Sequence, residues 1–377
     1  MIGKLDIVTL QQIWWILCSV VGSLFLFLTF VQGGQTLLWQ VAKNDTEKAL
    51  IINSLGRKWE ITFTTLVLFG GALFAAFPKF YATSFGGAYW VWMLILFTFI
   101  LQAVSYEFRK KPNNFLGAKV YELFLFINGS VGVLLIGAAV GTFFTGSNFI
   151  LNDFNQVTWT GPLRGLEAAF SLFNLSMGAF LVLNARVLGA MYLVNNVHFK
   201  GVPELEKRIR KSCLVSFLVS LPFLLYVLLS LVFMDGFSVA ADGSVVMEAK
   251  KYLNNLLEMP VVFALLLIGL FLVILGVTRT GLSNVTTGIW FGGLGTVLVG
   301  LSIFFIAGFN GTPFYPSKAD LQSSLTIYNA SSTHYTLTAM TYVALFIPVV
   351  LGYVAYVWRQ MDSRKIDMQD LSDKKAY

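Results

Sequence analysis

Nine long apolar stretches recur along this chain of 377 residues and constrain its fold more than any other feature. A helix needs roughly 20 apolar residues to cross about 30 Å of hydrocarbon, and most of the stretches reach or approach that length. Continuous runs also lack the alternation of a membrane β-strand, whereas a helix satisfies its own backbone hydrogen bonds in lipid. The stretches are residues 13–31, 61–77, 88–106, 121–144, 166–194, 213–234, 261–278, 288–309 and 335–358. We therefore predict an all-α polytopic integral membrane protein with about nine transmembrane helices.

The segments between the stretches are short, which limits how the predicted helices can be organised. No loop is long enough for an independent domain, so residues 1–377 are predicted to form a single membrane domain. The first four stretches and the next four have similar loop layouts, which favours two four-helix bundles with the ninth helix at the periphery. The polar segment 359–377 is predicted to be a cytoplasmic tail that frays.

Composition and the placement of charge argue against a soluble or nucleic-acid-binding protein. Hydrophobic residues make up 56% of the chain and charged residues only 12%, about half the usual share. The net charge of +7 comes from Lys and Arg residues in the loops between the apolar stretches. About three quarters of these basic residues fall on one side of the nine-helix layout, so the positive-inside rule places the N-terminus outside and the C-terminus in the cytoplasm.

The few residues that could ligate a metal are poorly placed to do so. His198 follows the fifth stretch and His334 precedes the ninth, so the predicted topology puts them on opposite faces, about 30 Å apart. Cys18 and Cys213 lie within or at the edge of separate apolar stretches and form no Cys-x-x-Cys pair. We expect no metal site in this chain, and no haem held by its own axial ligands.

Three glutamates at the predicted cytoplasmic ends of helices are candidates for proton uptake. Glu60 begins the second stretch, Glu107 ends the third and Glu122 begins the fourth. Ionisable groups so close to hydrocarbon are costly and often mark proton routes, so together they could form an acidic, hydrated entrance. The alternative is that these carboxylates favour helix N-termini and pair with basic neighbours. Those neighbours are Arg57, Arg109 and Lys119.

Two groups of motifs, one towards each end of the chain, carry a family resemblance. The first comprises Asn44-Asp45-Thr46-Glu47, Ile52-Asn53-Ser54, Trp59-Glu60, the run from Gly70 to Ala76, Pro78, Tyr81-Ala82 and Phe85. The second comprises Pro316-Ser317, the run from Ser324 to Ile327, the run from Asn329 to Ser332, Thr336-Leu337, Met340 and Pro348. In order, spacing and helix layout, the whole chain resembles the cytochrome bd quinol oxidase subunit II family.

The resemblance implies a heterodimeric quinol:oxygen oxidoreductase in the bacterial inner membrane. Subunit I, the expected partner, would bind haems b and d and the quinol, either ubiquinol or menaquinol, and reduce dioxygen to water. This chain, as subunit II, would ligate no haem, stabilise subunit I and help to take up protons from the cytoplasm, so that turnover generates a proton-motive force. A small accessory subunit, membrane lipids and a quinone or lipid bound to this chain are further expected partners, whereas nucleic acid is not.

The resemblance assigns two of the glutamates to a proton pathway. Trp59-Glu60 stands where many relatives have Trp-Asp, so the carboxylate is kept on a side chain one methylene longer. Glu107, followed by an aromatic residue and Arg109, matches a similar acidic triplet of the family. Glu60 and Glu107 are therefore the predicted acidic members of the pathway.

The first helix departs from the family pattern. Many relatives have a Gly-Phe-Asp segment at its end, where this chain has Gln32 and Gln35 on either side of two glycines. An amide cannot release or accept a proton as a carboxylate does. We therefore predict either a route through water held by Gln32, Gln35, Thr62 and Thr64, or a route elsewhere in the protein.

Arg186 is the deepest charge in the sequence, eight residues before the predicted inner end of the fifth stretch. This places it about 12 Å into the helix. Its side chain could reach back to the interface, or it could pair with a carboxylate or a haem propionate. Arg186 and Glu122 are the candidates for charge pairing in the membrane.

Two other functions are open to a chain with this pattern. A secondary transporter of a small solute would bind its substrate at broken helices near the midplane, for which Pro222 and the glycine-rich eighth stretch are candidates. A purely structural scaffold would have no role in proton transfer. A transporter, unlike an oxidase subunit, would move a solute on its own. A scaffold, unlike a subunit with a proton route, would keep normal turnover when Glu60 is replaced.

Overall fold

A computed structural model describes residues 2–112 and 114–370 of the chain, which form a helical bundle with two short β-hairpins. Within these residues, eight helices are long and apolar enough to cross a membrane. The pair His334–Ala344 and Ile347–Met361, bent by 41°, brings the number to nine if it is one span. The prediction of an all-α membrane protein with about nine transmembrane helices is confirmed.

Several spans are built from two consecutive helices. The first four spans consist of α1 (Ile7–Leu28) with α2 (Phe30–Val41), α3 (Asp45–Gly56) with α4 (Trp59–Ala76), α6 (Tyr89–Phe108), and α7 (Ala118–Ile127) with α8 (Val133–Thr145). The others are α9 (Leu172–Asn196), α10 (Pro203–Phe233), α12 (Pro260–Gly281), α13 (Gly288–Gly308), and α14 (His334–Ala344) with α15 (Ile347–Met361). The short helices α5 (Pro78–Tyr81) and α11 (Lys251–Glu258) lie between spans.

The remaining regular structure consists of short turns and hairpins. Strands β1 (Phe149–Leu151) and β2 (Val157–Trp159) pair antiparallel, as do β3 (Gly236–Val239) and β4 (Val245–Glu248). Residues Ala82–Gly86 and Asn128–Gly132 form π-helical turns, and the second of these joins α7 to α8.

The helices do not coincide with the apolar stretches, because capping rather than hydropathy sets their ends. Asn44 begins α3 by accepting a hydrogen bond from the backbone N–H of Glu47, so the second span includes a polar segment. The fifth helix begins only at Leu172, where Ser171 provides the cap. The preceding residues Leu166–Phe170 form a 3₁₀ turn instead.

Helix α9 lies at the centre of the bundle and packs on α2, α8 and α10. Glycine makes the closest of these approaches possible, since a Cβ atom at Gly33 of α2 would collide with the carbonyl of Ala185 in α9. The first four spans join the next four through the pairs α1–α13, α2–α9 and α8–α9. The ninth span is peripheral: α14 packs on α1 and α4, and α15 has no buried residue.

Two helices proposed as broken in the transporter hypothesis are continuous. Helix α10 runs through Pro222 without interruption, and α13 runs unbroken through its glycines. A discontinuous helix at the membrane midplane is therefore not formed at either of the positions that the sequence suggested for substrate binding.

The C-terminal segment is ordered as far as residue 370, so the expectation that it frays is wrong for this part. The Lys58 ammonium pairs with the Asp362 carboxylate at 2.8 Å, although the Lys58 side chain is completely buried. Ile366, also fully buried, forms a parallel β-bridge with Val197. The segment therefore closes one end of the bundle, and residues 371–377 lie outside the described part of the chain.

The β3–β4 hairpin is fastened to α11 at the opposite end. Glu248 accepts a hydrogen bond from the Asn254 amide at 3.0 Å and pairs with Lys251 at 3.1 Å. The hydrogen bonds from Asn254 and Ser238 and the charge of Lys251 lower the pKa of the Glu248 carboxyl below its ordinary value of 4.5.

Candidate functional site

A row of buried polar side chains runs through the apolar interior between α2, α6 and the π-helical turn of the fourth span. The side-chain amide of Gln32 donates to the side-chain oxygen Oε1 of Gln102 at 3.3 Å. The side-chain amide of Gln35 donates to the Tyr106 hydroxyl at 3.1 Å. The buried Asn128 amide donates to the Thr98 hydroxyl at 3.5 Å, one turn before Gln102 on α6. We call Gln32, Gln35, Gln102, Tyr106 and Asn128 the polar seam.

The polar seam contains buried atoms that lack a hydrogen-bond partner among the described residues. They are Oε1 of Gln32, Oε1 of Gln35, Nε2 of Gln102 and Oδ1 of Asn128. An unpartnered buried amide atom costs about 1–3 kcal/mol, and ordered water usually removes that cost. Buried polar atoms of this kind are where ordered water binds inside proteins, and a hydrogen-bonded chain of water molecules can conduct protons.

Irregular backbone lies next to this row in two spans. Asn128 begins a π-helical turn, a widened geometry that is frequent at functional sites. The first span breaks at Thr29, and the Leu28 carbonyl at this break accepts a hydrogen bond from the Thr62 hydroxyl at 3.2 Å. The Thr62 hydroxyl also lies 3.3 Å from the Lys58 carbonyl, so it bridges the first two spans through backbone oxygens.

The polar seam reaches the predicted cytoplasmic end of the bundle at an aromatic pair. Trp59 stacks on Tyr106 with a centroid distance of 5.8 Å and an interplanar angle of 9°. The Trp59 indole nitrogen is buried without a hydrogen-bond partner among the described residues. Glu60 and Glu107 directly follow these two aromatic residues in sequence, and both are exposed. The two predicted acidic residues are thus the sequence neighbours of the aromatic pair at the end of the seam. Among residues 2–112 and 114–370, neither of them forms a salt bridge.

Glu122, unlike the other two glutamates, is buried in an ion cluster. Its carboxylate lies 2.8 Å from the Arg109 guanidinium and 3.0 Å from the Lys48 ammonium, and it accepts a hydrogen bond from the Trp39 indole at 3.2 Å. The side chain is only 2% exposed, so these contacts compensate a buried charge. The cluster ties α2, α3, α6 and α7 together at their predicted cytoplasmic ends.

Arg186 does not pair with Glu122. Its guanidinium donates to the Thr36 hydroxyl at 2.8 Å and the Thr36 carbonyl at 3.1 Å, and it also contacts the Gln40 amide oxygen and the Ser216 hydroxyl. Thr64, predicted to help hold water, is exposed and donates its hydroxyl to the Glu60 carbonyl at 2.8 Å. Thr64 therefore lies outside the buried row.

The two histidines do not provide a haem-binding pair. Both are exposed, and the bent ninth span separates them. His334 begins that span, with its ring nitrogen 2.8 Å from the Leu5 carbonyl, whereas the backbone N–H of His198 bonds to Ile366 beyond the other end. Cys18 and Cys213 are buried free thiols. Among the described residues, no group of three or more His, Cys, Asp or Glu could hold a metal ion.

A cavity of about 180 Å³ lies among α8, α9, α10, α12 and α13. Its lining is almost entirely aliphatic and aromatic, with Asn184, Thr296 and Ser220 as its polar members. The Asn184 amide donates to the Thr296 hydroxyl at 3.3 Å, so these two groups partner each other. The cavity is suited to an apolar ligand.

Three members of the polar seam are not among the residues predicted from the sequence. Gln102, Tyr106 and Asn128 lie inside predicted apolar stretches, and polar residues within such stretches are themselves a signal of function. Gln32 and Gln35 stand out because they depart from the family pattern, whereas no such departure marks the neutral polar residues of the third and fourth stretches. A search for Gln and Asn within the nine stretches would have identified Gln102 and Asn128.

Comparison with known proteins gives a consistent result along nearly the whole chain. A family model described as cytochrome bd terminal oxidase subunit II matches residues 10–361. Cytochrome bd-I ubiquinol oxidase subunit 2 of Escherichia coli (strain K12) is 28% identical over 375 residues, with 96% of each chain covered. Cytochrome bd ubiquinol oxidase subunit 2 of Bacillus subtilis (strain 168) is 25% identical over 366 residues, covering 96% of this chain and 99% of the relative. In the solved structure of bd oxidase from Geobacillus thermodenitrificans, one chain superposes with a TM-score of 0.66 at 14% identity, covering 94% of this chain and 98% of that chain, and thus shares its fold.

Proposed function

The chain belongs to the cytochrome bd terminal oxidase subunit II family, and we propose that its polar seam carries protons from the cytoplasm towards the haem-bearing subunit I. Membership confirms the resemblance found in the motifs and makes this chain a subunit of a respiratory oxidoreductase complex in a membrane, with subunit I as its partner.

The observation that carries the proposal is the row of unpartnered buried amide atoms. Gln32, Gln35, Gln102 and Asn128 do not titrate, so they can orient water but cannot store a proton. Protons would then pass along water molecules, and the amides would hold those molecules in place by donating and accepting hydrogen bonds. The carboxylates of the usual family pattern are thus not required along this part of the route.

The exposed carboxylates supply the entrance in this proposal. Glu60 and Glu107 follow the stacked pair Trp59 and Tyr106, and Tyr106 accepts the hydrogen bond from Gln35. A negative charge at the mouth of a narrow polar route raises the local proton concentration. With the C-terminus in the cytoplasm, as the distribution of basic loops favours, this entrance faces the side from which protons are taken up.

We propose that the haems and the quinol site belong to subunit I, because the residues of this chain do not fit a haem. A haem needs at least one axial ligand, most often His, and the cavity described above has Met177 as the one residue of a ligating type in its lining. His198 and His334 lie at opposite ends of the ninth span, away from the cavity among α8, α9, α10, α12 and α13. That cavity instead supports binding of an apolar quinone or lipid tail.

Replacing Gln102 by Leu tests the proton route. The change removes the partner of Gln32 and puts an apolar side chain into the row, so quinol-driven oxygen consumption by the purified complex should fall at least about tenfold. The absorption spectrum of the haems should remain unchanged, because no haem contact is lost. Gln12→Leu is the matched control, since this amide lies at the opposite end of the first span, and it should leave turnover as in the wild type.

Normal turnover in Gln102→Leu with intact haems would support a scaffold role and reject the proton route. Glu60→Gln provides an independent test of the entrance, because it keeps the shape of the side chain and removes its charge. We expect slower oxygen consumption with a normal haem spectrum. If the complex loses its haems in Gln102→Leu, Gln102→Asn keeps an amide at the position and should retain them with intermediate turnover.

A further inference from the structure

Arg186 is a charged side chain inside the fifth span whose hydrogen bonds all go to neutral groups. Its contacts are the hydroxyl and carbonyl of Thr36, the amide oxygen of Gln40 and the hydroxyl of Ser216. These groups satisfy most of its N–H donors but do not compensate its charge. An intramembrane cation usually has an anionic partner, because an uncompensated charge is expensive in hydrocarbon.

The carboxylates at this end of the neighbouring helices are already committed to other cations. Glu47 forms a bidentate contact with Arg208 at 2.7 Å, and Glu122 is held by Arg109 and a lysine. Among residues 2–112 and 114–370, no carboxylate forms a salt bridge with Arg186. A compensating anion would therefore come from outside the described residues.

Exposed residues lie next to the groups that Arg186 contacts. Gln40 and Trp39 lie one turn or less from the end of α2 and are both exposed. On α10, Lys211, Val215 and Val219 follow one another at four-residue intervals and form an exposed flank, and Val215 directly precedes the Ser216 that Arg186 contacts. This flank has a basic residue at its predicted cytoplasmic end and apolar residues deeper in the membrane. Trp39 is placed as an aromatic residue at the membrane interface would be.

We propose that Arg186 and Lys211 bind the phosphate of an anionic phospholipid, whose acyl chain lies along Val215 and Val219. The arrangement matches the amphipathic shape of a lipid: positive charge and the Gln40 amide towards the predicted cytoplasmic end, and aliphatic surface further along α10. A guanidinium suits this ligand because its charge attracts a phosphate, and the one N–H of Arg186 that these contacts leave unused can donate to it. The proposal is independent of the proton route and goes beyond it.

Lipid binding to the purified two-subunit complex tests the proposal. The complex is delipidated in mild detergent and titrated with phosphatidylglycerol or with phosphatidylcholine of the same chains, and bound lipid is counted by native mass spectrometry. Wild type should bind phosphatidylglycerol in preference to phosphatidylcholine. Arg186→Gln should weaken that binding about tenfold and Lys211→Gln several-fold. Arg279→Gln is the matched control and should behave as wild type, since Arg279 lies at the end of α12 over the Phe291 ring.

Three outcomes would overturn the proposal. One is equal phosphatidylglycerol binding in wild type and Arg186→Gln, and another is equal binding of the two lipids by wild type. The third is displacement of phosphatidylglycerol by millimolar inorganic phosphate, which would identify a site for the free anion. If Arg186→Gln does not assemble, Lys211→Gln and Gln40→Leu decide the matter: both change exposed side chains, and unaltered lipid binding in both rejects the site.

Discussion

Replacing Asp362 by Asn is expected to release the C-terminal segment from the end of the bundle. Asp362 holds the completely buried Lys58 ammonium at 2.8 Å and also accepts a hydrogen bond from the Asn196 amide at 3.0 Å. The Lys58 ammonium additionally lies 4.9 Å from the centre of the Trp358 ring. Asn keeps the size of the side chain but removes the charge that compensates Lys58.

The free-energy cost of this substitution follows from the burial of the ion pair. Removing one partner of a buried ion pair costs about 3–5 kcal/mol, because the other charge is left uncompensated. The Asp362 side chain is 16% exposed, so water screens part of the interaction and the lower value of about 3 kcal/mol applies. This free energy corresponds to a change of about 100-fold in the equilibrium between the docked and released segment.

Hydrogen exchange measured by mass spectrometry on the purified complex checks this value. The backbone N–H of Ile366 donates to Asn196 at 2.9 Å, and the N–H of His198 donates to Ile366 at 2.8 Å, so both amides report on docking. They should exchange about 100-fold faster in Asp362→Asn. The matched control is Asp367→Asn in the same segment, whose exposed pair with Arg364 is worth less than about 1 kcal/mol.

Unchanged exchange at Ile366 in Asp362→Asn would refute the reasoning, and so would an equal acceleration in Asp367→Asn. The double variant Lys58→Met with Asp362→Leu provides a further check. Replacing both charges by apolar side chains of similar size leaves no buried charge without a partner, so protection should largely return. Exchange as fast as in the single variant would show that the ion pair is not the source of docking.

Three further predictions concern packing and charge elsewhere in the bundle. Glu122→Gln leaves the guanidinium that it holds buried without a counter-charge and should destabilise the complex by about 3 kcal/mol in thermal unfolding, whereas the exposed Glu107→Gln should not. Gly33→Ala places a methyl group against the α9 backbone and should cost at least about 2 kcal/mol by the same assay, whereas Gly71→Ala points into open space and should be neutral. Because its folded-state pKa is lowered, Glu248 stabilises the hairpin fully above its ordinary pKa and loses this contribution as the pH falls through the lowered value. Glu248→Gln should therefore flatten the acid dependence of hairpin hydrogen exchange, after correction for intrinsic rates, and an unchanged dependence would exclude this carboxyl as its source.

The number and type of the membrane helices could be predicted because the requirement is simple. Crossing hydrocarbon demands about 20 consecutive apolar residues, and the sequence shows this directly. The helix ends could not be predicted from hydropathy. Asn44 caps a polar helix that continues into the second span, and Ser171 delays the start of the fifth, and both effects depend on single side-chain hydrogen bonds.

Only the α2 residues of the candidate site could be predicted from the sequence. Gln32 and Gln35 were identified because they depart from the family pattern, but their partners Gln102 and Tyr106 were not. A helix that is apolar on nearly all faces does not specify its rotation, so the sequence does not show which polar residues face each other. The fate of Arg186 was open for the same reason, since its contacts come from two other spans.

The pair formed by Lys58 and Asp362 joins residues 304 positions apart, and this separation has a consequence for biogenesis. A chain made from its N-terminus inserts the second span long before the carboxylate for Lys58 has been synthesised. The ammonium must therefore stay hydrated at the membrane surface until the ninth span arrives. Closure of this end of the protein is consequently a late step of membrane insertion, and a chain truncated before the ninth span would leave it open.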